Sequence, residues 1–276
     1  MQQEIKLDPL TATSSFSQWI NKNFKFLPPT FITLVLLVGQ ITYGILDSYL
    51  NVVVAIATCI IAEIILARVL LGKWKNIASA YMTGTSVAML IRSTVAWPYF
   101  FTALLSILSK YVLRYKGKHL WNPSDFGITW MLAMQSPSVA GLSIQWGSNL
   151  AAVSVIWFLG LIVVNRAKRM HVTIAYVISF IALAYVRCLI TGDAFLAELA
   201  PLTGPMYQLY IFLMITDPPT SVSTRKGRIL VAILVALVEF IFRLNNFIYA
   251  PFYALFIVGP LTKFIDLKWF DKTVVK

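Results

Sequence analysis

Polar and charged positions in this chain gather in short clusters, and the residues between them are almost uniformly apolar. Apolar runs occupy 30–46, 50–71, 96–113, 149–165, 171–190, 228–243 and 246–264. Each approaches the roughly 20 residues an α-helix needs to cross a bilayer. Three further runs are shorter or interrupted, Ala78 to Ile91, Pro123 to Gln135 and Tyr207 to Thr216. The pattern predicts an all-α membrane protein of about ten transmembrane elements, the third and eighth short or broken.

The order of elements suggests two halves. Arg68-Val-Leu-Leu-Gly72 ends the second run much as Arg187-Cys-Leu-Ile-Thr-Gly192 ends the seventh, and Asn122-Pro123, opening the fifth, is matched by Ala250-Pro251 inside the tenth. Two repeats of five crossings have opposite orientations because five is odd, so the expectation is an inverted repeat. Repeat one spans 29–138 and repeat two 149–266, together one transmembrane domain. Residues 1–28 form a polar cytoplasmic segment and 267–276 a cytoplasmic tail. No small-residue cleavage site follows the first run, which reads as a retained helix.

Composition agrees: 59% of the residues are hydrophobic and 12% charged, with a mean hydropathy of +0.77, outside the range of a soluble domain. A net charge of +12 would suggest a nucleic-acid partner in a soluble protein, but here its distribution gives topology. With the N-terminus inside, eighteen of the twenty-three lysines and arginines fall in inner segments. Arg92, Arg187 and Arg243 fall outside, and Arg68 and Lys110 lie at inner helix ends where they can snorkel to the surface. Both termini are expected on the cytoplasmic side of a bacterial inner membrane, with lipid and not nucleic acid as the surroundings. Cys59 and Cys188 lie in apolar runs, which fits buried thiols and excludes a disulfide framework or zinc site. Two histidines, His119 and His171, are too few to ligate several haems, and no nucleophile, metal cluster or nucleotide loop stands out. Catalysis by this chain would require a bound cofactor.

In inverted-repeat folds the short, interrupted elements point to the central site, because irregular backbone at membrane depth survives only against protein or a cavity. The eighth element ends in Asp217-Pro218-Pro219. Proline turns the preceding residue away from helix, and Asp217 with Thr220 and Ser221 can cap the turn that follows. The stretch from Ile215 to Arg228, ITDPPTSVSTRKGR, precedes an apolar helix, Arg243 and a closing run from Phe252 to Asp266. This arrangement resembles the end of the membrane subunits RnfD and NqrB, of the Rnf complex and the sodium-pumping NADH:quinone reductase. Gly117 to Gly127, GKHLWNPSDFG, is similar to the asparagine-proline segment of the same family. The resemblance covers about residues 50–266.

The resemblance implies five plus five helices, a shape related to urea transporters, and flavin carried in the membrane domain. In complex-forming members an FMN is joined through its phosphate to a threonine of an S-G-A-T motif after the fifth helix, on the outer side, and a riboflavin binds noncovalently. Here the corresponding loop, Ser136 to Asn149, reads SPSVAGLSIQWGSN and has no threonine, while Thr203 lies in the wrong loop. The expectation is a stand-alone relative with a noncovalent flavin, riboflavin or FMN, and with redox partner subunits or quinone as partners.

A flavin needs an apolar slot with a few directed polar groups, and a phosphate needs arginine or helix N-termini. Arg92, Arg187 and Arg243 are the anion candidates, although each also fits a helix terminus facing headgroups. Thr83, Thr85 and Ser86 in the third element, Asn122 and Asp125 opening the fifth, and Thr216, Asp217, Thr220 and Ser221 after the eighth are the polar candidates. Helix packing through small residues and ordinary capping explain the same residues. Glu63 and Glu239, acids within apolar runs, are candidates for an ion or proton relay or for structural pairing, and Glu239 stands four residues from Arg243 on one helix face. Electron transfer through bound flavin, transport of a small solute or ion on the same fold, and a scaffolding subunit are the functions that remain.

Overall fold

The computed structural model describes residues 27–141, except 45 and 47, and 150–270. The N-terminal segment before residue 27, most of the loop compared with the flavin-attachment motif (142–149), and the tail from 271 lie outside the described residues. The first half contains α1 (Leu27–Tyr43), α2 (Tyr49–Leu71), α3 (Ala78–Leu90), β1 (Ile91–Arg92), α4 (Trp97–Val112), β2 (Arg114–Tyr115), β3 (Lys118–His119), α5 (Pro123–Ala133) and β4 (Ala140–Gly141). The second half contains α6 (Leu150–Arg166), α7 (Met170–Thr191), α8 (Phe195–Leu199), α9 (Pro205–Leu209), α10 (Arg225–Leu244) and α11 (Ala250–Ile265). A 3₁₀ turn follows α8, and π-helical turns, Tyr210–Met214 and Asp266–Phe270, extend α9 and α11.

Among the described residues three stretches are long and apolar enough to cross a membrane, Tyr49–Leu71, Met170–Thr191 and Ala250–Lys268. Helix α2 shows how such a helix is organised. Asn51, Ala55, Cys59, Glu63 and Ala67, spaced by four, are its buried face, while Val53, Ile61, Ile65 and Val69 are exposed. Small and polar residues face the protein and large aliphatic ones face outward, the arrangement a lipid solvent favours. On α7, Tyr176, Phe180, Ala184 and Arg187 are buried and Ile178, Tyr185 and Leu189 exposed. This is an all-α membrane protein.

Helix ends follow local chemistry. Both α2 and α7 close on a glycine in the left-handed region, Gly72 at φ 64° and Gly192 at φ 81°, whose N–H groups return to the last turn. Asn122 caps α5 by accepting the Asp125 N–H, with Pro123 at the first turn, and Thr224 caps α10 by accepting the Gly227 N–H. Ala250-Pro251 opens α11 instead of lying inside a longer helix. Asn246, at φ 61°, marks the break, so the tenth element starts later than the apolar run from 246 suggests.

The halves repeat their contacts. In the first, α2 packs on α3 and α4, and α4 on α5; in the second, α7 packs on α10, and α10 on α11. The segment after each short helix is tied to the end of its half. Ile91 and Arg92 pair with Gly141 and Ala140 in an antiparallel ladder, while the Ser223 N–H and hydroxyl donate to the Asp266 carboxylate at 2.9 and 2.7 Å. Contacts of α1 with α6, of α5 with α11, and of α9 with α1 and α3 join the halves. Close approach of α5 to α4 depends on Gly127, where an added Cβ would overlap Ser106 Oγ and the Thr102 carbonyl oxygen.

Candidate functional site

Helix α3, the start of α5, the end of α6 and the turn after α9 enclose a slot of about 160 Å³. Its walls are largely apolar, with Met82, Val163, Phe212, Leu213 and Met214. Polar groups enter from three directions: Ser79, Thr83 and Ser86 from α3, Asn122 and Ser124 from α5, and Thr216 and Asp217 from the broken eighth element. Periodicity explains the α3 set, since 79, 83 and 86 share one helix face. Thr83 and Thr216 donate to carbonyls of their own helices, Ser79 and Phe212, at 3.0 and 2.7 Å, which leaves their oxygens as acceptors. Asn122 Oδ1 accepts from the Ser124 hydroxyl at 2.8 Å and the Asp125 N–H at 3.1 Å, so its NH₂ is the group left for a ligand.

The turn below the slot is held as the sequence suggests. The Thr220 hydroxyl donates to Asp217 Oδ2 at 2.9 Å and the Ser221 hydroxyl to the Asp217 carbonyl at 2.8 Å. Burial pushes the Asp217 carboxyl up to about 6, against the opposing pull of the Thr220 hydroxyl and of Lys110 and Lys263. A small adjoining cavity of about 30 Å³ is lined by Thr220, Ser221, Asn122 and Arg228.

Beyond Pro218, Pro219 and His119, which line both spaces, the slot meets a bowl of about 420 Å³. Lys75, Lys110, Arg114, Lys118 and Lys263 surround it. Arg114 and Lys118 belong to a tight hairpin whose central residues, Lys116 and Gly117, have φ 48° and 76°, the two positive values a two-residue turn of this kind requires. The hairpin is fastened to the end of α11 by Lys116 Nζ donating to the Leu267 carbonyl at 2.7 Å, and Trp121 Nε1 donates to that of Phe256 at 3.0 Å. Burial, then Lys110, Arg114, Lys75 and Lys263, depress His119 to about 4, so it is neutral at pH 7.

Several expected residues lie elsewhere. Thr85 is fully buried away from the slot and donates to the Tyr81 carbonyl. Asp125 is buried one residue beyond the slot wall, its carboxylate oxygens without a hydrogen-bond partner. Arg92 sits half-buried in the β1–β4 ladder. Arg187 pairs with Glu198 of α8, and Arg243 with Glu239 at 2.9 Å. Pairing of Glu239 with Arg243 is the i,i+4 contact their spacing suggests. Tyr176 donates to Glu239 Oε2 at 2.5 Å, Tyr207 donates to Oε1, and Arg243 also reaches the Tyr207 hydroxyl.

Lys110 corrects the snorkelling expectation. Its ammonium turns inward, 2.8 Å from both Glu63 oxygens and 3.2 Å from Ser79 Oγ, and the Tyr111 hydroxyl donates to Glu63 at 2.9 Å. Sequence spacing offers Glu63 only Arg68, five residues away, because its true partner lies 47 positions on. The bowl has no signature of its own in the sequence, since its lysines and arginine read equally well as topology signals. Nothing along the chain shows that three separated stretches, around 75, 110–118 and 263, bring them to one place.

No family model matches the chain. One stretch of 107 residues, 38% of the chain, is 31% identical to the RnfD component of the ion-translocating oxidoreductase complex of Cronobacter sakazakii (strain ATCC BAA-894). The match spans 29% of that relative's length. The similarity supports a distant relationship to RnfD.

Proposed function

We propose that the chain is a membrane-embedded electron-transfer subunit related to RnfD and NqrB that holds a flavin noncovalently in the slot between α3, α5 and the turn after α9. The observation that carries this reading is the slot itself: apolar walls with a few convergent polar groups, beside a second chamber that shares His119, Pro218 and Pro219 with it. Together the two spaces lie within the roughly 300–1,000 Å³ of ligand sites. Thr83, Asn122 and Thr216 would supply hydrogen bonds to the polar edge of the ring system, and Phe212 and Met214 its apolar contacts. When bound, the flavin supplies the redox chemistry, and the protein positions it and excludes water.

The same reading takes the repeated contacts of the two halves as an inverted repeat of five plus five elements, with both termini on the cytoplasmic side of a bacterial inner membrane. Redox partner subunits or quinone then exchange electrons with the bound flavin. Absorbance and fluorescence of the detergent-purified protein, before and after denaturation and filtration, test the reading. Flavin bands that pass into the filtrate support it, and Thr83→Val and Asn122→Leu are expected to lower the flavin content. Colourless protein that takes up solute in liposomes would instead make the fold a transporter.

A further inference from the structure

We propose that the basic bowl is a phosphate site, and that the ligand of the adjoining slot is the phosphorylated form of its kind. The second part rests on the flavin reading, where it selects FMN over riboflavin. Topology does not account for the bowl. Charge asymmetry requires cations in inner loops, where water solvates each one separately; it does not require them to face one another across a single recess. Here Lys75 comes from the loop before α3, Lys110 from α4, Arg114 and Lys118 from the hairpin, and Lys263 from α11.

Among the described residues, the carboxylates nearby do not balance these cations. Glu63 binds Lys110, Asp266 lies 4.0 Å from Lys263, and Asp217 lies within electrostatic reach of both lysines. With Lys118 and the Lys263–Asp266 pair left out, Lys75, Lys110 and Arg114 exceed Glu63 and Asp217 by one charge. A phosphomonoester, which carries about −1.5 to −2 at pH 7, complements that excess. Arg114, whose Nη2 donates to the Gly117 carbonyl, adds a guanidinium to the wall of the bowl, a group that matches phosphate oxygens. His119, uncharged between the two chambers, adds a neutral imidazole at the place where a ligand would pass from slot to bowl.

The test measures binding of FMN and riboflavin to the full chain in neutral detergent by flavin fluorescence, for the native protein and for Lys75→Gln/Arg114→Gln. FMN is expected to bind about 10- to 100-fold tighter than riboflavin, the equivalent of one charged hydrogen bond. The double variant is expected to bring FMN to the riboflavin affinity while leaving riboflavin unchanged, which also reports an intact slot. Equal affinities in the native protein would overturn the proposal. If neither flavin binds, the flavin reading fails, and calorimetry with inorganic phosphate decides the bowl alone. Phosphate heat present in the native protein and absent in the variant supports the site; its absence in both overturns it. Phosphate displaced by stoichiometric phosphatidylglycerol would assign the bowl to a lipid headgroup and overturn the link to the slot.

Discussion

Lys110→Met, Glu63→Gln and their combination form a cycle that tests how the first half is held. Glu63 is 1% exposed and Lys110 9%, with the ammonium 2.8 Å from both carboxylate oxygens. Removing either partner leaves a charge buried without its counter-charge, at a cost of about 3–5 kcal/mol, whereas replacing both by neutral groups of similar volume is close to neutral. In the double variant the introduced amide can still accept the Tyr111 hydroxyl, and a methionine fills the lysine's path through the packing. At roughly 2 °C per kcal/mol, the scaling of soluble domains of this size, each single variant should lose about 6–10 °C and the double about 2 °C or less. Tryptophan-monitored thermal unfolding in detergent reads the four midpoints. A double variant that falls by the sum of the singles would refute the reasoning, since the two residues would then contribute independently.

Two other perturbations follow from the geometry. Gly127→Ala should destabilise the chain by about 1–3 kcal/mol despite alanine's better helix propensity, because a Cβ there meets Ser106 and the Thr102 carbonyl, and α5 must move from α4; the same thermal assay, together with flavin content, checks it, and an unchanged midpoint would show the contact to be slack. His119 sets a pH dependence. Its folded value of about 4 lies below the ordinary 6.5, so between these pH values the unfolded chain holds more protons and stability rises with pH. Acidification from pH 7 to pH 4 should therefore remove about 1–2 kcal/mol through this group, reduced for its partial exposure to the bowl. His119→Gln should flatten that portion of the midpoint-against-pH curve, and an unaltered curve would count against it.

Helices were legible because lipid acts as a uniform solvent. Runs of apolar residues near bilayer length, closed by Gly72 and Gly192 and opened by Asn122 with Pro123, determine where α2, α5 and α7 begin and end. Glu239 and Arg243 were legible as a pair because a helix brings residues four apart together without help from the rest of the fold. Thr83, Asn122, Thr216 and Asp217 could be selected singly, as polar residues in short or interrupted elements, but their meeting at one slot depends on α3, α5 and the turn after α9 converging. Lys110 with Glu63, Arg187 with Glu198, and the five cations of the bowl were decided only by tertiary structure. Sequence spacing carries no information about which helices become neighbours, and a long cationic side chain turns to lipid headgroups, to a buried carboxylate or to a shared cavity according to what packing places beside it.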